Sequence, residues 1–137
     1  MTAKEFLRQY EHANSIAERC RLEYEKELAE IDAISINMDG MPRGSGISNP
    51  TEAKALRLAD KALKWEKARL DALEKRQEVF EAIYDIPAPE GDILIERYIN
   101  LRHWEEICIL VHYSWTQTHE HHKKALRIVR DRIEANA

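Results

Sequence analysis

Three of the four glycines and two of the four prolines lie within residues 37–50, NMDGMPRGSGISNP. On both sides of this stretch, apolar residues recur at alternating three- and four-residue steps, the period of one helix face. Before it come Leu7, Tyr10, Ala17, Tyr24, Leu28 and Ile31. Phe6, Ala13, Cys20 and Ile34 widen that stripe, and Asn14 and Arg21 interrupt it. After it come Leu56, Ala59, Leu63, Leu70, Leu73, Phe80 and Tyr84, interrupted by Glu66 and Gln77. The patterns predict helices over 3–36 and 51–84, the second with Pro50 near its first turn. Two matched stripes flanking a flexible connector predict a coiled-coil-like antiparallel helical hairpin over 1–85. A helix of about 34 residues spans about 51 Å, whereas a compact globule of this chain length has a radius of gyration of about 14 Å. The hairpin is therefore expected to project as a rod, and a homodimer would cover the apolar surface it leaves wet.

Charge divides the chain in the same way. The 21 Lys+Arg and 25 Asp+Glu give a net charge of −4, which excludes a uniformly basic nucleic-acid coat. All of that net charge belongs to residues 1–90. Within 115–132, Lys123, Lys124, Arg127, Arg130 and Arg132 stand against only Glu120 and Asp131, net +3. A hydrophobic content of 44% excludes a fully disordered chain. No apolar run approaches the roughly 20 residues that cross a bilayer, and no signal-peptide pattern is seen. Two distant cysteines, Cys20 and Cys108, form no disulfide framework, so the cytoplasm is the expected compartment.

Asp85-Ile86-Pro87-Ala88-Pro89 breaks the second long helix. A short helix follows over 89–101, with Leu94, Ile95, Tyr98 and Ile99 on its apolar side. Residues 104–111 read as another helix, 112–113 as a tight turn, and 114 to about 133 as the last helix. Ile107, Leu110 and Val111 form the core face of the 104–111 helix, and Cys108 is small where two helices must approach. His112 stands where the turn wants a positive φ, a conformation in which His is enriched. Ser114 is a good N-cap. Residues 86–137 thus read as a helix-turn-helix domain whose last helix would enter a major groove.

Residues 94–130 resemble sigma-factor region 4, and more narrowly the phage ArpU/RinA-type transcriptional regulators. The residues that carry the resemblance are Arg97-Tyr98-Ile99, Trp104-Glu105-Glu106-Ile107, Tyr113-Ser114, and His122 followed by Lys124-Ala125-Leu126. The connector leading to Asn49-Pro50-Thr51, between long helices, resembles that phage group more loosely. The resemblance implies a phage or prophage regulator of late genes. It would act on double-stranded DNA in the bacterial host cytoplasm, at the nucleoid, with RNA polymerase as a further partner. Trp115, Thr116, Gln117 and His119 would lie near bases, Gln117 as an adenine reader, with Ser114 at the helix start among the DNA-binding residues. Lys123, Lys124 and Arg127 would grip phosphates, and Arg102 and His103 the flanking backbone. His122 falls where the family pattern has a structural histidine.

Other readings of the same residues carry less. His119, His121 and His122, and the Cys108/His112 pair, do not converge as the three or four ligands of a zinc site must. No metal or cofactor is expected. Those histidines would add positive charge to the last helix below neutrality, so non-specific DNA binding is expected to be tighter at pH 6 than at pH 8. Glu105-Glu106 fits the first turn of a helix better than a catalytic pair. No phosphate-binding Gly loop is present, and the chain does not read as an enzyme. Trp104 is expected to pack under the preceding helix, and Trp65 within the hairpin. Two rivals share these features: a small-terminase-like packaging protein, and an adaptor that contacts proteins instead of DNA.

Overall fold

The computed structural model describes residues 1–38 and 48–136. Most of the connector read at 37–50, and the side chain of Ile34, lie outside the described residues. The described chain is all-helical, in the order α1 (Ala3–Leu7), α2 (Gln9–Met38), α3 (Ser48–Ile83), α4 (Glu90–Leu94), α5 (Trp104–Val111) and α6 (Trp115–Ala135). No helix among the described residues is long and apolar enough to cross a membrane.

Thr2 starts α1. Its side chain accepts a hydrogen bond from the Glu5 N–H, and the Glu5 carboxylate accepts one from the Thr2 N–H. This reciprocal cap satisfies two otherwise unpaired donors. Arg8 separates α1 from α2 but keeps right-handed helical dihedrals, so the 3–36 helix is interrupted for only one residue.

The chain divides into two compact units, Asn14–Asp71 and Met1–Ala13 with Ala72–Ala137. This differs from a division at 85/86. Ala3 and Leu7 of α1 and Val79 and Ile83 of α3 enter one core with Ile86, Leu94, Tyr98, Ile99, Ala125 and Val129. The core of residues 86–137 is thus closed by side chains from α1 and the end of α3. Arg132 fastens the end of α6 by donating to the Ala82 carbonyl and the Asp85 carboxylate.

In the Asn14–Asp71 unit, Tyr24 stacks on Trp65 with ring centroids 5.4 Å apart. Glu27 is 8% exposed and lies 3.2 Å from Lys61 and 3.4 Å from Arg57. The hydrogen bond from Lys61 holds the Glu27 carboxyl below its usual range, against the opposing effect of desolvation.

The stripe expected to be the inner face of the second long helix is corrected. Leu56, Leu63, Leu70, Leu73 and Tyr84 are each more than half exposed. The covered side of α3 carries Leu58, Ala62, Trp65, Ala68, Ala72, Val79 and Ile83 instead. The one large ring on that side, Trp65, finds Tyr24. The more hydrophobic stripe lost to the smaller one.

After α3, Ile86 turns inward and the Ala88–Pro89 peptide is cis. Gly91 follows in α4, with the Ile86 carbonyl at the place a side chain would occupy. The helix read at 89–101 is shorter and less regular than expected. Past Leu94 it widens into a π turn over Ile95–Ile99, and it ends at Leu101 in the left-handed region (φ 55°). A leucine is rare there, and nothing in the local sequence announced it.

Candidate nucleic-acid interface

The site is built from α5, the turn after it, and α6. Helix α5 spans Trp104–Val111, as the sequence pattern indicated, with Ile107 fully buried and Glu105 and Glu106 in its first turn. It stops at His112, whose φ of 60° and ψ of 37° are left-handed. A non-glycine residue there stores roughly 1 kcal/mol of backbone strain. His112 is exposed, so His112→Gly is expected to raise stability by up to about 1 kcal/mol. The urea midpoint measures this, and a lower midpoint would mean that the imidazole contributes more than its backbone strain costs.

Ser114 caps α6. Its Oγ accepts from the Gln117 N–H at 3.2 Å, and Gln117 Oε1 accepts from the Ser114 N–H at 3.2 Å. The Gln117 carbonyl oxygen is thereby engaged. Reading adenine through both ends of the amide would require this cap to open. The next turn is held by rings. The His119 imidazole sits 4.5 Å from the Trp104 ring and 4.4 Å from the Trp115 ring. His119 Nδ1 lies 2.9 Å from the Trp115 carbonyl oxygen. A carbonyl can only accept, so Nδ1 carries a proton in this contact.

One side of α6 is buried through Thr118, His122, Ala125 and Val129, a helical three- and four-residue spacing. Thr118 is fully buried, and its hydroxyl has no partner among the described residues. His122 lies 2.8 Å from the Tyr98 hydroxyl and edge-on to Trp104, 4.7 Å between centroids. Burial first, then the nearby Lys4 and Arg97 charges, depresses the His122 pKa to about 4. Burial pushes the Tyr98 phenol up to about 12. Both groups are neutral at pH 7. His122 is therefore not one of the histidines that would charge α6 at pH 6.

The opposite side of α6 exposes Thr116, Gln117, Glu120, Lys123, Lys124 and Arg127, with Trp115 half-exposed beside them. Lys123 and Arg127 have no ion pair among the described residues. Lys124 lies 3.5 Å from Glu90, a carboxylate only 7% exposed that also meets His121 Nδ1 at 3.1 Å. Desolvation pushes Glu90 up. Its hydrogen bonds to backbone and His121, and the Lys124 charge, outweigh that, so its pKa is lowered. Sequence reasoning missed Glu90, since nothing in PAPEGD marks a buried acid.

The two flanking residues separate. His103 is exposed at the N-cap of α5 with no side-chain hydrogen bond to the helix. Arg102 is turned to its own chain, bonded to Glu96 and 3.4 Å from Glu106, with its pKa raised by them. It braces the Leu101 bend, helped by Arg97 donating to the Arg102 carbonyl at 2.9 Å. Arg97 also lies 5.2 Å over the Trp104 ring. No group of three or more His, Cys, Asp or Glu among the described residues is placed to hold a metal ion. No family model, curated protein or solved structure matches the chain.

Proposed function

We propose that the chain is a DNA-binding transcriptional regulator of the phage ArpU/RinA kind, with α5 and α6 as its helix-turn-helix and α6 as the recognition helix. The observation that carries this reading is the two-sided character of α6. Thr118, His122, Ala125 and Val129 fix one side in the core, while Thr116, Lys123 and Arg127 stand free on the other. The left-handed His112 and the capped Ser114 supply the tight entry that such a helix needs. Thr116, Trp115 and His119 would face base edges, and Lys123, Lys124 and Arg127 phosphates. His103 would reach the flanking backbone. Arg102 acts through its brace on the 101–103 bend.

The long helices α2 and α3 would form an antiparallel hairpin that joins two copies, so that two recognition helices meet two half-sites. The place of action would be the host cytoplasm, on double-stranded DNA, with RNA polymerase as a second contact. Selection from a random duplex pool at stated salt tests the reading. Enrichment of one motif supports it. A pool that stays random while the protein pulls down other proteins would favour the adaptor.

A further inference from the structure

We propose that the exposed leucine stripe of α3 seats a second copy of this chain, with the two α3 helices parallel about a twofold axis. The proposal rests on the reading of the long helices as the self-association part, and it specifies the face and the direction. Leu56, Leu63 and Leu70 recur every seven residues, and Ala59 and Leu73 fall three residues after members of that series. These are a and d positions of a heptad repeat. In the single chain, Leu56, Leu63, Leu70 and Leu73 are 67%, 59%, 53% and 51% exposed. At 100° per residue Leu56, Leu63 and Leu70 lie roughly 160° from the covered side of α3, which carries Trp65, Ala72 and Val79, and Leu73 lies between the two sides. The chain's own inner face is thus already used, and a contiguous apolar line remains in water.

The charges flanking the line choose the occupant and its direction. One flank, the e positions, carries Asp60, Lys67, Glu74 and Glu81, all exposed, and the other, the g positions, carries the exposed Arg69 and Arg76 between Ala62 and Ile83 of the covered side. In a parallel pair each g residue faces the e residue five positions on in its partner. Arg69 then meets Glu74 of the second copy, and Arg76 meets its Glu81, each twice by symmetry. In an antiparallel pair g faces g, which sets arginine against arginine. The same chain in parallel register satisfies both flanks. Glu66 and Gln77 are the polar interruptions of the stripe, and Arg69 holds Glu66 within the chain at 2.9 Å. A leucine at that position would extend the apolar line.

Sedimentation equilibrium on the full chain measures the first part. A dimer is expected, weakened by more than about tenfold in Leu63→Glu/Leu70→Glu and tightened in Glu66→Leu. Helicity by circular dichroism is expected to stay unchanged, because these side chains already stand in water. Direction is read with Gln77→Cys in a Cys20→Ser/Cys108→Ser background. Gln77 is an a position, which meets its own copy only in the parallel pair, so oxidation is expected to give a covalent dimer. A monomeric wild type, or a dimer indifferent to the leucine substitutions, overturns the proposal. A dimer that Gln77→Cys does not cross-link overturns the parallel direction. None of these readouts involves DNA, so failure to bind DNA and failure to pair through α3 are separate results.

Discussion

Gly91→Ala is expected to unfold the unit built from Met1–Ala13 and Ala72–Ala137, or to weaken it by about 3 kcal/mol or more. A Cβ at residue 91 would stand 1.8 Å from the Ile86 carbonyl oxygen and 2.8 Å from the carbon that bears it. Both obstacles are backbone, so no rotamer change relieves them. The segment cannot slide away easily. Ile86 is itself buried, its N–H donates to the Ile83 carbonyl, and the Gly91 N–H donates to the Pro87 carbonyl at 2.9 Å. Alanine in a helix normally gains about 1 kcal/mol over glycine, and here the clash is expected to exceed that gain. Because whole domains are stable by only about 5–15 kcal/mol, the loss is easily seen in urea. Trp104 and Trp115 report on this unit and Trp65 on the other. The expected result is an early transition at the first two with the helicity of the Asn14–Asp71 unit retained. An unshifted midpoint would mean that α4 does not lie against residue 86.

Acid is expected to destabilise the same unit through His122 before any carboxylate acts. In the unfolded chain His122 titrates near its ordinary value of 6.5, and in the fold only near about 4. The folded pKa is the lower one. The unfolded state therefore binds the extra proton first as pH falls, and the stability present above pH 6.5 is lost between about 6.5 and 4. At about 1.4 kcal/mol per pH unit the full loss is about 3 kcal/mol. Glu90 acts in the same direction but lower down. Its carboxyl is held below 4.5 in the fold, so its contribution is present above 4.5 and fades as pH falls through the depressed value. The two windows separate the groups. His122→Gln keeps a partner for the Tyr98 hydroxyl and is expected to flatten stability between pH 6.5 and 4.5, leaving the fall below that. If the substitution leaves the pH profile unchanged, His122 is not buried as a neutral ring.

Parts of this molecule were legible in its residues because local rules decide them. The start and end of α5, the left-handed His112 and the Ser114 cap all follow from short-range chemistry, and Ile107 and Tyr98 were apolar on the right side of their helices. What was hidden depended on comparison between distant segments. Both faces of α3 repeat with a helical period, and hydrophobicity alone favoured the leucines over Ala62, Ala68 and Ala72. Only the partner surface, where Trp65 finds Tyr24, decides for the alanine side. The core likewise recruits Leu7 and Val79 from the ends of the long helices, which no boundary signal near residue 85 reveals. At the candidate interface, Gln117 and Arg102 were read as free polar groups. Their engagement with Ser114 and with Glu96 and Glu106 depends on geometry that spacing does not encode.

The proposed DNA contact lies on the outward face of α6. Duplex binding by fluorescence anisotropy, measured from about 50 to about 200 mM salt for wild type and for Lys123→Ala/Arg127→Ala, tests it most directly. These two side chains carry no ion pair among the described residues, so their removal leaves the fold's own electrostatics intact. If they grip phosphates, affinity falls across all duplexes, and the slope of log affinity against log salt becomes shallower by about 2. Equal affinity and equal slope for the variant and wild type would contradict the account.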